Sequence, residues 1–327
     1  MDFVIIARIN REAKSKINQG GWIMHIVIAG GSGFIGQALV KYFKQQNHKI
    51  SVISRDPMKI MSKKIFDQTI QVTAWESLGE LHDVDVVINL AGENLFSGLL
   101  TQAKKEKLMQ SRVNTTQQLV TWLQTQRNSI TFLSASGINI YPSDTVIYTE
   151  SDTISSQGVG DFMSSLAKRW EHTANQAQSV TCRVINLRQA VVLDKSGGML
   201  AKLLPISRYL SGVVFGDGQQ PFLWIALADV VGAIDFLIKN TSIQGPVNLV
   251  APDIITQEEF ARELAAKFGK RCFIRIPEFV LKMTMRDLAD ELILTQMRAA
   301  PSVLVKNHFQ FACPNFAVFL KSLPGLG

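Results

Sequence analysis

The sequence predicts an α/β fold: a doubly wound parallel sheet that carries a smaller, mainly helical C-terminal lobe. Three observations predict it. Apolar runs of strand length alternate with segments whose apolar residues recur at helical spacing, the pattern of strands joined through crossover helices. The first strand enters a turn with glycines at Gly30, Gly33 and Gly36, and that turn opens a helix. The segment Val84–Leu90 has a continuous apolar centre, as a strand buried on both faces requires.

The first strand spans Ile26–Ala29. Helix Phe34–Gln46 follows with Ile35, Leu39, Tyr42 and Phe43 at helical spacing, and strand Ile50–Ile53 closes a strand–helix–strand unit of the ~30 residues that a dinucleotide site needs. Glycines spaced in this way let the backbone turn sharply, approach a pyrophosphate and pack helix on strand. The free N–H groups and the positive dipole end then face the phosphates. The unit reads as a Rossmann-type turn, with Gly30, Gly31, Ser32, Gly33, Phe34, Ile35 and Gly36 against the cofactor. Further strands are expected at Gln68–Thr73, Val84–Leu90, Ile130–Ser134 and Arg183–Leu187, and helices at Ala103–Gln126 and Asp161–Gln178. The ligand of such a sheet lies at the carboxyl ends of the strands, where Gly30, Ser54, Ala91 and Ser134 emerge.

Beyond residue 195 the alternation loosens. Gly212–Gly218 reads as a loop, Phe222–Ile225 as a short strand, Asp229–Lys239 as a helix and Val247–Val250 as a strand. Thr256 and Glu259 stand at capping-box spacing, so a helix is expected to run from there to Phe268. From Ile276 the chain reads as mainly helical, ending in Asn315–Leu323. These readings divide the chain into a nucleotide-binding domain at 24–195, a substrate lobe with returning elements at 196–275 and a small helical domain at 276–327. Residues 1–23 do not fit the fold. Met24 stands where such a chain starts, so the preceding segment is expected to be either absent from the native protein or a basic, loosely ordered arm.

Of the 327 residues, 46% are apolar and 19% charged, an ordinary globular composition. No stretch approaches the ~18 uncharged apolar residues of a membrane span. The three cysteines, Cys182, Cys272 and Cys313, have no metal-ligand spacing and read as reduced thiols of a cytoplasmic protein. The net charge of +7 is scattered, with only short groups such as Lys63-Lys64 and Lys104-Lys105, so no nucleic-acid partner, membrane or metal site is expected.

The dinucleotide itself is read from the end of the second strand, Val52-Ile-Ser-Arg55. An arginine there can hold an adenosine 2′-phosphate, with Ser54 adding a hydroxyl, so the cofactor is expected to be NADP(H). Asp56 follows at once, and an NAD reading through its carboxylate stays open.

The chain resembles the extended short-chain dehydrogenase/reductases, and within them an atypical branch of epimerase family proteins. The resemblance rests on Gly30-Gly-Ser-Gly-Phe-Ile-Gly36, Val87-Ile-Asn-Leu-Ala-Gly-Glu-Asn94, Ser111-Arg-Val113, Ser134-Ala-Ser136 and Trp170-Glu171. It continues through Val191-Val-Leu-Asp194, Gly197-Gly198, Trp224-Ile225 with Asp229, and Gly245-Pro-Val-Asn248. From Ile276 the chain is similar to the small helical domain of unknown function that closes this branch. The resemblance adds Leu90, Ala91, Gly92 and Glu93 to the cofactor-facing residues, and a homodimer through paired helices is a state common in the superfamily.

Active members of that superfamily use a tyrosine with a lysine four residues later on the same helix face. The lysine lowers the phenol pKa from ~10 toward the working pH. None of the four tyrosines here is followed by such a lysine, and alignment on Trp170-Glu171 places Met163 and Ala167 at the two positions. The candidate catalytic residues that remain are Ser136, which matches the family's active-site serine, and Tyr141. Each has a plain structural alternative, a turn-capping hydroxyl for Ser136 and a buried tyrosine for Tyr141. Arg188, flanked by apolar residues at a strand end, is expected to pair with a substrate anion or an internal carboxylate. Asp229 reads as a helix cap. Departures near the pocket, with Ala226, Gln189-Ala190 and Pro142 where relatives carry other residues, leave the substrate undefined. Two functions follow: an NADP(H)-dependent oxidoreductase on a small carbonyl or sugar-derived substrate, and a catalytically silent nucleotide-binding regulator.

Overall fold

The computed structural model describes residues 23–95, 97–154, 162–209 and 211–323, so the expected N-terminal extension lies outside the described residues apart from Ile23. The N-terminal half opens with β1 (His25–Ala29), α1 (Phe34–Gln45), β2 (Lys49–Ser54), α2 (Pro57–Ser62), β3 (Gln71–Ala74) and β4 (Val86–Asn89). It continues through α3 (Gln102–Met109), α4 (Thr115–Gln124), β5 (Ile130–Gly137), β6 (Ile147–Tyr148), α5 (Phe162–Asn175) and β7 (Cys182–Gln189).

The main sheet has seven strands in the order β12-β7-β5-β4-β1-β2-β3, its last member β12 being Gly245–Leu249, and all its pairings are parallel. β1 is wholly buried, and its period of two sorts its side chains between two cores. Ile26 and Ile28 pack with Leu39 and Phe43 of α1 and with Val230 and Ile234. Val27 and Ala29 pack on the other face with Leu119 and Leu123 of α4 and Ala174 of α5. A sheet covered by helices on both faces is the doubly wound arrangement. Chain direction across the sheet reverses between β1 and β4, which opens a crevice at their carboxyl ends.

The remaining elements are β8 (Val191–Asp194), α6 (Gly198–Tyr209), β9 (Gly212–Phe215), β10 (Pro221–Phe222), β11 (Trp224–Ala226) and α7 (Leu227–Lys239), then, after β12, β13 (Ile255–Thr256), α8 (Gln257–Ala266) and β14 (Cys272–Ile276). α9 (Glu278–Met285), β15 (Arg298–Ala299), α10 (Ser302–Lys306) and α11 (Phe316–Ser322) close the chain. The capping box of α8 forms as its spacing predicts, with Thr256 and Glu259 exchanging side-chain and backbone bonds.

Several boundaries differ from the expectations. Gly212–Gly218 is not a loop throughout: Gly212–Phe215 is β9, paired in parallel with β14. The expected strand Phe222–Ile225 splits, because Phe222 pairs with β13 while Trp224–Ala226 pairs with β8. Asp229 does not cap its own helix. Buried in the first turn of α7, its carboxylate accepts the N–H groups of Ala312 (2.6 Å) and Cys313 (3.0 Å) and so ties the C-terminal segment to the sheet domain. Trp224 is fully buried edge-on to Phe316, completing that tie from the other side. The three cysteines are unpaired, and among the described residues no helix is long and apolar enough to cross a membrane.

Candidate functional site

The glycine turn is shaped by contacts that a side chain would prevent. Gly30 adopts φ +79°, and a Cβ there would stand 2.7 Å from the Leu90 carbonyl. A Cβ on Gly36 would reach 2.4 Å from Gly30 O, so the start of α1 lies directly on the turn. Gly33 N–H closes the turn on Gly30 O at 3.0 Å. The start of α1 has neither a side-chain cap nor an acidic residue in its first turn. Its leading N–H groups and positive dipole end are therefore available to a phosphate, and the residues fit a dinucleotide's pyrophosphate. Ser32 is held through its carbonyl by Gln37 Nε2 at 2.7 Å. Phe34 is anchored from the C-terminal side: Gly197 and Gly198 lie against its ring so closely that a Cβ on Gly197 would sit 2.3 Å from it.

At the end of β2, Ser54 Oγ accepts the Asp56 N–H at 3.0 Å, and the Asp56 carboxylate caps α2 by accepting the Lys59 N–H at 3.0 Å. Arg55 is exposed. Across the crevice, Leu90 N–H bonds to Ala29 O (2.8 Å) and Ala91 N–H to Asn89 Oδ1 (3.2 Å), which pins the loop after β4 beside the glycine turn. The structure thus gathers all the residues expected to face the cofactor around the carboxyl ends of β1, β2 and β4.

That loop is clamped from α3 and α4. Between these helices, Gln110–Asn114 forms one wide π-turn, an extra-residue bulge of the kind frequent at functional sites. It turns Ser111 and Arg112 toward the loop. Glu93 N–H donates to Ser111 Oγ (2.9 Å), and Arg112 Nη2 donates to Glu93 O (3.1 Å). The buried Lys104 donates to Glu93 Oε1 (3.2 Å), Asn94 O (2.7 Å) and Ser97 Oγ (2.6 Å), and this bonding holds the Glu93 pKa below its ordinary value. Behind the loop, Thr116 Oγ1 accepts from Asn89 Nδ2 (2.8 Å) and Trp170 Nε1 (2.9 Å) and donates to Arg112 O (2.6 Å). Trp170 is thus a packing residue with its indole N–H satisfied.

Where the tyrosine–lysine pair would stand, Met163 and Ala167 are buried apolar residues on the inner face of α5. One turn further along, Glu171 is the centre of a buried network. Ser136 Oγ donates to Glu171 Oε1 (2.8 Å), while Arg188 donates to both carboxylate oxygens, from Nε at 2.8 Å and from Nη2 at 2.9 Å. Arg188 thus finds an internal carboxylate. Burial works against its charge, but the Glu171 bonds more than offset this and leave its pKa raised. Arg188 Nη1 also donates to Tyr141 OH at 2.8 Å, and that hydroxyl is offered to Asn248 Oδ1 (2.9 Å) or Thr149 O (3.0 Å). Tyr141 is only 3% exposed, and burial pushes its pKa up against the opposing effect of Arg188. Ser136 is 4% exposed. Both hydroxyls are occupied by protein partners.

Sequence reasoning gave no place in the site to Lys104, Arg112 or Asn248, which it met only in a charge pair and in motifs, and did not name Thr116. Ser111-Arg-Val113 was visible as a motif, but its pairing with Glu93 depends on the π-turn, which leaves no mark in the apolar periodicity.

Comparison with known proteins accords with this geometry. The family model described as the NAD dependent epimerase/dehydratase family matches residues 26–249, and a domain of unknown function, DUF1731, matches residues 276–323. Epimerase family protein YfhF of Bacillus subtilis is 29% identical over 92% of this chain and 98% of its own length. Epimerase family protein SDR39U1 of Mus musculus is 30% identical over 92% and 99%. The crystal structure of the human SDR39U1 protein (isoform 2) with NADPH superposes with a TM-score of 0.81 at 27% identity, covering 91% of this chain and 98% of that one. With its glycine turn, its parallel sheet and its C-terminal domain all matched, the chain belongs to the NAD dependent epimerase/dehydratase family.

Proposed function

We propose that this chain binds NADP(H) and lacks the superfamily's tyrosine–lysine proton relay. The observation that carries the cofactor choice is the end of β2. Asp56 is committed to capping α2, and Arg55 stands exposed beside it as the charged group left to meet an adenosine 2′-phosphate. Ser54 Oγ, which accepts from Asp56 N–H, keeps its own proton to donate to that phosphate. The NADPH in the human relative supports the same choice. Gly30–Gly36 would hold the pyrophosphate, and Leu90–Glu93 would flank the nicotinamide half. Fluorescence titration tests the reading: wild type is expected to bind NADPH more tightly than NADH, and Arg55→Asp to weaken NADPH by about tenfold or more, the value of one charge-assisted contact. Tighter binding of NADH by wild type would overturn it.

Within this reading the chain is a nucleotide-binding regulator, because Met163 and Ala167 offer no proton and the Ser136 and Tyr141 hydroxyls are already bonded. One observation favours a second reading, reduction of a small carbonyl or sugar-derived substrate: Ser136 stands at the carboxyl end of β5 with an acceptor, Glu171, at 2.8 Å. When bound, the cofactor would supply the hydride. Ser136 would then turn from Glu171 to polarise the carbonyl, with water as proton source, since Tyr141 is enclosed. NADPH consumption across a carbonyl panel separates the two. Turnover lost in both Ser136→Ala and Gly33→Asp supports the reductase; tight NADPH binding by wild type with no consumption supports the regulator.

A further inference from the structure

The cations described at the ligand end of the sheet are unequally matched. Lys104 is paired with Glu93, and Arg188 is bidentate on Glu171. Arg55 serves the adenosine end. Arg112 has no carboxylate within ion-pair distance among the described residues. Its guanidinium lies over the Trp170 ring at 5.3 Å and gives Nη2 to the Glu93 carbonyl, while the Glu93 carboxylate is drawn to Lys104. It also stands against the loop that borders the crevice, since a Cβ on Gly92 would come within 3.1 Å of its central carbon. The π-turn delivers a fork of five N–H donors of which two are engaged, Nη2 on Glu93 O and Nη1 at 3.5 Å from Leu108 O, and sets it over Trp170, three residues beyond Ala167, the position where the superfamily's lysine would stand.

We propose that Arg112 is the floor of an oxyanion subsite beside Gly92, which takes the nicotinamide-side phosphate of the dinucleotide or a phosphate or carboxylate on the substrate. The positive charge that the missing lysine would bring on α5 is supplied instead from the junction of α3 and α4. Burial lowers the Arg112 pKa to about 10, opposed by Glu93, so the group is charged at neutral pH but poorly solvated. A desolvated cation that no carboxylate bridges directly gains from an anion more than a solvated one does. Gly92 keeps the way open, because any side chain there would press on the guanidinium. The inference extends the NADP(H) reading but has a test of its own.

Three probes are measured on wild type, Arg112→Gln and Arg112→Lys, with circular dichroism to confirm folding. They are NADPH, adenosine 2′,5′-bisphosphate (which keeps the adenosine 5′-phosphate but lacks the nicotinamide-side phosphate) and inorganic phosphate, the last read as a rise in melting temperature over chloride of equal ionic strength. If the anion is the cofactor's, Arg112→Gln weakens NADPH by about 10- to 100-fold and leaves the bisphosphate within about twofold. If the anion belongs to the substrate, NADPH affinity holds and the phosphate-induced rise disappears. Arg112→Lys, which keeps the charge but not the fork, should fall between wild type and Arg112→Gln. A folded Arg112→Gln with both responses intact would overturn the proposal, as would equal losses for NADPH and the bisphosphate. If Arg112→Gln does not fold, an Arg112→Lys variant indistinguishable from wild type in every titration would overturn it. Failure of wild type to bind NADPH would count against the cofactor reading alone, since the phosphate measurement stands without it.

Discussion

Glu171 answers three donors at once, and the consequences of losing it differ from those of losing any one of them. Replacing it with Gln leaves Arg188 buried with no counter-charge, which costs about 3–5 kcal/mol, whereas Ser136→Ala removes a single hydrogen bond at about 1 kcal/mol. Urea denaturation of the two variants measures the contrast, and equal losses would show that the ion pair does not dominate the network. Ser136, Tyr141 and Arg188 were visible in the sequence as residue types at strand ends. Their mutual bonding was not, because the acceptor that unites Ser136 and Arg188 lies on α5, where Glu171 showed itself only as the neighbour of Trp170. The glycine turn was legible to the residue, since backbone geometry there admits no alternative to glycine at Gly30 and Gly36. Arg55 was legible as a position for a related reason: its place just after β2, exposed, depends on the strand rather than on distant partners.

At the scale of elements, the junction of α3 and α4 is the part of the site most dependent on one hydroxyl. Thr116 Oγ1 serves Asn89, Trp170 and the Arg112 carbonyl together. Thr116→Val keeps the shape but strands the Asn89 and Trp170 donors, so we expect a loss of about 2–4 kcal/mol, with the indole emission of Trp170 reporting its lost partner. A loss below about 0.5 kcal/mol would mean that the loop finds other acceptors, as an ordinary surface substitution would. Helix Ala103–Gln126 was expected as one segment, and its extent is close to that observed, Gln102–Gln124. The bulge within it was not legible, since one extra residue barely disturbs a 3.6-residue period. The core strands of the sheet were readable because burial on both faces makes them apolar throughout. β9 and β14 escaped because each is short and half-exposed, flanked by glycine or charge, and gains its structure only by pairing with the other.

Across the whole molecule, the sheet domain responds to acid through His25 of its first strand and, in the same sense, through His48, whose pKa burial also lowers. His25 is 4% exposed, with Nδ1 on His82 O at 2.9 Å and Nε2 on Ser51 Oγ at 2.8 Å. Burial lowers its pKa from 6.5, so the folded state binds fewer protons than the unfolded state. The stability it contributes is complete above about pH 6.5 and is lost as pH falls through the lowered value. Glu150 and Asp229, pushed up by burial, act in the opposite sense: what they contribute is lost as pH rises through their raised values. The urea midpoint should therefore fall more steeply between pH 7.5 and 5.5 in wild type than in His25→Gln, and parallel curves would refute the assignment. Glu150 has a further consequence, in time rather than in energy. Its carboxylate accepts the N–H groups of Asn248 (2.9 Å) and Val303 (3.2 Å), and Val303 lies 153 residues further along the chain. At a synthesis rate of ~5–20 residues per second, that acid waits about 8–30 s for its last partner. The backbone bonds that close the turn at Gly30 come from residues 25–90, although the apolar face of its helix waits for Val230 and Ile234. A ribosome-bound chain can thus complete the backbone bonds of its glycine turn well before Glu150 meets its last partner.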